Sequence, residues 1–207
     1  MTGDERSTLA NRRALGRTTS RYLSILALTV VASCGGSSGN PLGNPPLVNN
    51  PTSQGGQKLS FAYFERCINP IFFTQFGTNE CGASGCHDSV HGSGGALRVI
   101  AGAATFDVTN PANTPDVMTN SDMHRNFVSA VGETLISNPP QSRLVIKPLV
   151  QGIFHGGGQI FASDQDPNIK LMEYWIGHPV QQGQDEFAPS NAMFTPPDPN
   201  VGACNTQ

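Results

Sequence analysis

The chain has 207 residues with 12 basic and 15 acidic side chains, a formal net charge of −3, and only 13% of its residues are charged. That length allows one domain with linkers, and the charge balance excludes the basic stripe expected of a nucleic-acid binder, so no nucleic-acid partner is expected. With 23 glycines and 16 prolines among few charges, much of the chain is predicted to be loop.

Residues 1–21 carry Arg6, Arg12, Arg13, Arg17 and Arg21 against Asp4 and Glu5, and an apolar run follows from Tyr22 to Ala32. A membrane span needs about 20 apolar residues, so this shorter run fits the core of a secretory signal peptide, here residues 1–33. The run ends in Val31-Ala32-Ser33-Cys34, which resembles a bacterial lipobox. That resemblance implies that Cys34 is acylated and becomes the new N-terminus, leaving an exported protein held by a lipid anchor on the periplasmic or cell-surface side of a membrane. An ordinary cleaved signal with an incidental cysteine is the alternative. Gly35-Gly36-Ser37-Ser38-Gly39 favours the anchor, because a flexible tether suits an acylated head. Without the signal, seven basic and thirteen acidic residues remain, a balance of −6.

Residues 34–57 are rich in Gly, Ser, Asn and Pro and read as a linker that buries too little apolar surface to order itself. Ser60 is a plausible N-cap for a helix carrying Phe61, Phe64, Ile68 and Phe72 on one face, with Pro70 predicting a kink or early stop. A second helix is expected after Ser121 and Asp122, through Phe127, Val128 and Val131, closed by Gly132. Residues 142–149 predict a short helical turn interrupted by Pro148. The last helix is capped by Ser163 or Asp164, takes Pro167 in its first turn, and lines Ile169, Met172, Trp175 and Ile176 on one face before Gly177. Residues 181–207 are polar and proline-rich and predict an irregular tail. The fold class is therefore mostly α, a small helical domain at 58–180 with long loops.

Cys81-Gly82-Ala83-Ser84-Gly85-Cys86-His87 carries the chemistry. Two thiols and a following imidazole are what a covalently attached haem requires: each sulfur joins one vinyl group, and the histidine ligates the iron from the proximal side. The usual spacing has about two residues between the cysteines, whereas this chain has Gly82, Ala83, Ser84 and Gly85 there. Small residues are what a bulged loop needs. A local disulfide beside a bystander histidine and a zinc site are the alternatives. With Cys34 lipidated and Cys81 and Cys86 on haem, Cys67 and Cys204 remain, and an oxidising compartment lets them pair; a buried thiol at Cys67 is the alternative.

Phe64-Glu65-Arg66-Cys67-Ile68-Asn69-Pro70-Ile71, then Cys86-His87, then Gly94-Gly95-Ala96-Leu97-Arg98-Val99, resemble the opening of planctomycete-type cytochrome c domains. Ser142-Arg143-Leu144-Val145-Ile146-Lys147-Pro148-Leu149, His155-Gly156-Gly157-Gly158-Gln159-Ile160-Phe161 and the segment from Asp166-Pro167 to Trp175-Ile176 extend the likeness over roughly residues 60–177. The resemblance implies a cytochrome c-like helical domain with one covalent haem c, His87 as proximal ligand and a redox partner protein. Relatives often carry a methionine where this chain has His155, so His155 is the expected distal ligand, in a loop whose glycines let the backbone approach the porphyrin. A hydrogen-bonded loop histidine is the alternative there. Met118, Met123 and His124 are runners-up, His91 could assist a zinc site, His178 reads as a cap or surface residue, and Trp175 as core packing. The functional expectation is a monohaem electron carrier. A haem-containing enzyme subunit or ligand sensor with an open distal site, and a disulfide-stabilised structural lipoprotein without haem, stand as alternatives.

Overall fold

The computed structural model describes residues 57–207; the expected signal segment, the lipobox with Cys34 and nearly all of the linker lie outside these residues. Chain order gives α1 (Phe61–Tyr63), a π-helical turn (Phe64–Ile68), α2 (Asn69–Phe72), β1 (Gln75–Phe76), β2 (Asn79–Glu80), α3 (Pro115–Thr119), α4 (Asp122–Val131), a 3-10 turn (Pro139–Gln141), α5 (Arg143–Leu149), α6 (Pro167–Gly177), a 3-10 turn (Asn191–Met193), β3 (Phe194–Thr195) and β4 (Ala203–Cys204). The strands form two separate antiparallel ladders of two, so the architecture is mostly helical with long loops.

The first three segments make one continuous helical rod. It starts as expected: Ser60 Oγ accepts from the Tyr63 N–H at 3.1 Å. Pro70 has no N–H to give to Arg66 and its ring would crowd that carbonyl. The rod does not stop there; it widens into the π turn immediately before Pro70 and continues to Phe72.

Opposite this rod lies α6, whose Trp175 is wholly buried and donates its indole N–H to the Ser60 carbonyl at 2.9 Å. Phe64 lies 5.4 Å from the Trp175 ring and 5.5 Å from Phe127 on α4, so aromatic contacts join the rod to both helices. The cap of α6 is Asp166, not Ser163 or Asp164: its carboxylate accepts from the Asn168 N–H at 2.8 Å, directly before Pro167. Ser163 and Asp164 lie in the preceding turn. Pro148 sits inside α5, which ends one residue later at Leu149, and its carbonyl accepts from the N–H groups of Ile160 and Phe161.

Residues 181–207, expected as an irregular tail, are packed into the domain. Phe187, Met193 and Phe194 are buried, Tyr63 donates to the Asn205 carbonyl at 2.5 Å, and Cys67 is disulfide-bonded to Cys204. Isolated apolar residues in a proline-rich stretch carry no periodic signal, which is why their burial does not read from the sequence.

Candidate functional site

The stretch from Cys81 to Leu97 folds as a knot of turns held by its own backbone. Cys81 accepts from the His87 N–H at 2.9 Å, Cys86 accepts from the Gly94 N–H at 2.7 Å, and Val99 pairs with the loop through its N–H to the His87 carbonyl at 2.8 Å. His87 Nδ1 lies 3.0 Å from the Leu97 carbonyl oxygen. A carbonyl only accepts, so the Nδ1–H tautomer donates and leaves Nε2 with its lone pair free. Gly94 makes this possible: a Cβ there would stand 2.7 Å from His87 Nδ1 and 2.6 Å from the Cys86 oxygen.

His155 repeats the pattern from another element. It lies in the loop after α5, and its Nδ1 is 2.7 Å from the Gly158 carbonyl oxygen, which again frees Nε2. The two imidazoles are brought together with ring centres 6.2 Å apart and planes inclined by 13°. Both border a cleft of about 410 Å³, whose rim also includes Cys81 and Cys86. Its volume is in the range of about 300–1,000 Å³ typical of cofactor sites. Behind it lies a narrower apolar cavity walled by Phe72, Leu97, Leu144, Phe161 and Met172.

Burial lowers the His87 pKa from its ordinary value; the Leu97 hydrogen bond opposes this and nearby His155 reinforces it. The ring is thus neutral at pH 7, the state in which imidazole ligates a metal. Burial, then the nearby Cys86, pushes the Cys81 thiol up to about 11. Burial thus favours the protonated thiol at Cys81.

Cys81 and Cys86 are both free, so the local-disulfide alternative is not realised. Among the described residues no three His, Cys, Asp or Glu side chains gather as metal donors, so Cys81, Cys86 and His87 do not assemble a tetrahedral zinc set. Haem asks less of the chain, namely two axial nitrogens and an apolar slot. Two imidazoles sharing one metal at bonds of about 2.0 Å each have ring centres about 6 Å apart. The observed separation of 6.2 Å matches that spacing.

The other candidates lie elsewhere. Met118 and Met123 are core residues, and His124 is packed among Phe61, Phe127 and Phe187. His178 caps α6 through Tyr174 and stacks on its ring at 3.9 Å. His91 pairs with Asp88 on the surface. Trp175 is core and does not line the cleft.

Three charged residues at the site carried no signal as a group. Glu133, Arg143 and Lys147 line the inner cavity, and Arg143 Nε lies 3.2 Å from Glu133 Oε2, an ion-pair distance at which the N–H makes no aligned hydrogen bond. The four-residue step between Arg143 and Lys147 puts both on one face of α5, and that spacing was the available clue.

No family model matches this chain, and neither a curated protein nor a solved structure is similar to it.

Proposed function

We propose that the chain is an exported, lipid-anchored monohaem c-type cytochrome with a cytochrome c-like helical domain, and that it carries single electrons between redox partners. The observation that carries this reading is the His87–His155 pair, both rings fixed through Nδ1 with Nε2 free, over a cleft bearing two free thiols. Haem, when bound, supplies a one-electron change at iron. The chain supplies the rest. Cys81 and Cys86 would hold the porphyrin through its vinyl groups, His87 and His155 would ligate the iron through Nε2, and Phe72, Leu144, Phe161 and Met172 would keep water from the inner cavity. Two imidazole ligands set a lower reduction potential than a histidine–methionine pair.

Full-length protein matured in a bacterium with a haem-attachment system is expected to keep its colour through acid–acetone extraction and denaturing electrophoresis. Cys81→Ala and Cys86→Ala should each alter the α band by removing one thioether. Complete extraction of haem from the wild type overturns covalent attachment, and absence of any haem spectrum overturns the cytochrome reading.

A further inference from the structure

Glu133 is a carboxylate that the electron-carrying reading leaves unused. It follows α4, is 7% exposed, and faces the cavity on which His87 and His155 also border. The charged groups around it come from α5: Arg143 at 3.2 Å and Lys147 one turn further on, both on the same cavity wall. From the cysteine loop the cavity receives Cys81 and His87, and from the loop after α5 it receives His155. Glu133 touches neither proposed ligand within hydrogen-bond reach; its near partner is Arg143. Much of the remaining cavity wall is apolar, with Leu97, Leu144, Phe161 and Met172. In such surroundings a change of one unit of charge is weakly screened and is felt by a neighbouring ionisable group.

We propose that this protein moves a proton with its electron, and that Glu133 is the group that carries it. The inference rests on the cytochrome reading above. A haem held here would take one electron from a one-electron donor protein, passing from iron(III) to iron(II), and the cavity would lose one positive charge. Glu133 then takes one proton from solvent through the cleft beside Lys147, its carboxylate becoming the carboxylic acid. When the electron leaves to a one-electron acceptor, iron returns to iron(III) and Glu133 releases the same proton, so charge and atoms balance in each direction. The cluster is suited to this exchange. Desolvation raises the Glu133 pKa above the ordinary carboxylate value, and Arg143 and Lys147 oppose the rise. Lys147 borders both the inner cavity and the outer cleft, which places a polar step between Glu133 and water.

The test is a spectroelectrochemical titration of the full-length holoprotein between about pH 4.5 and pH 8.5, following the haem absorption. Wild type is expected to show a midpoint potential that falls with rising pH, approaching one proton per electron, across a window bounded by the oxidised-state and reduced-state pKa of Glu133. Glu133→Gln should be flat across that window. Lys147→Met, which removes a cation that favours the carboxylate, should move the window to higher pH. Reduced-minus-oxidised infrared spectra should contain a protonated-carboxyl band that Glu133→Gln lacks. A pH-independent wild type, or a slope that survives in Glu133→Gln, overturns the proposal. If Glu133→Gln fails to fold, an unmoved window in Lys147→Met or the absence of the carboxyl band in the wild type overturns it instead. A protein with no haem absorption fails at the earlier step and refutes the cytochrome reading, so the two failures are distinguishable.

Discussion

Gly94 decides how His87 is held. Its Cβ position is already occupied by the His87 ring and the Cys86 carbonyl, and at separations under 3 Å one of them must shift. Gly94→Ala is therefore expected to push the imidazole off the Leu97 carbonyl and to cost about 1–3 kcal/mol, the usual range for overpacking a tight site. Thermal unfolding measures the loss, and the same variant's haem spectrum should lose its low-spin character; an unchanged melting temperature and spectrum would show that the loop absorbs the methyl group. His155 is the complementary test. His155→Ala should turn the ferrous form high-spin and open it to carbon monoxide while the cysteine attachments persist. If the substitution leaves the spectrum unchanged, or if wild type already binds carbon monoxide quickly, His155 is not the distal ligand. The Cys-x4-Cys-His spacing brings Cys81, Cys86 and His87 together, because sequence neighbours remain spatial neighbours. It says nothing of Glu133, whose pairing with Arg143 is made where the loop after α4 meets the start of α5, the Leu144 N–H donating to the Glu133 carbonyl at 3.0 Å.

Among the elements, the rod from α1 through α2 shows local chemistry and its consequence most directly. The helical pattern and the Ser60 cap were readable, and so was a disturbance at Pro70; that the disturbance would be a π turn was not, since widening and breaking relieve the same clash. The widened turn buries Glu65, whose carboxylate accepts from the Phe106 N–H at 2.9 Å. Desolvation pushes its pKa up to about 7; the Phe106 hydrogen bond opposes the shift and Asp107 adds to it. A folded-state pKa above the unfolded one means that the native state holds the proton more tightly. Its contribution to stability is complete below about pH 4.5 and is lost as pH rises towards 7, by an amount on the order of 3 kcal/mol. Glu65→Gln keeps an acceptor for Phe106 and cannot ionise, so it should be the more stable protein at pH 8. Urea unfolding at several pH values checks this. Identical pH dependence in the two proteins would mean that Glu65 ionises without cost.

At the scale of the molecule, the Cys67–Cys204 bond joins positions separated by 137 residues and ties the last ladder to the rod. Cross-linking so long a loop removes conformational freedom from the unfolded chain, and its loss is expected to cost about 2–5 kcal/mol. The double variant Cys67→Ala/Cys204→Ala should unfold at lower denaturant concentration, and proteolysis should then cut within residues 181–207 first. An unchanged midpoint would show that the buried Phe187, Met193 and Phe194 hold the segment without the bond. Among the described residues no helix is long and apolar enough to cross a membrane.

What the amino-acid sequence alone determined is local: the helical class, the Ser60 cap, Pro167 in the first turn of α6, and a cysteine–histidine stretch built from small residues. Each depends on hydrogen bonds and sterics within a few residues, which composition and spacing express directly. Tertiary structure alone decided that His155 stands 6.2 Å from His87, that one carboxylate and two cations line the cavity beside them, and that the proline-rich end is part of the core. These relations are set by which helix faces pack together. Packing of that kind arises from burying apolar surface that distant segments share, and no local spacing records it.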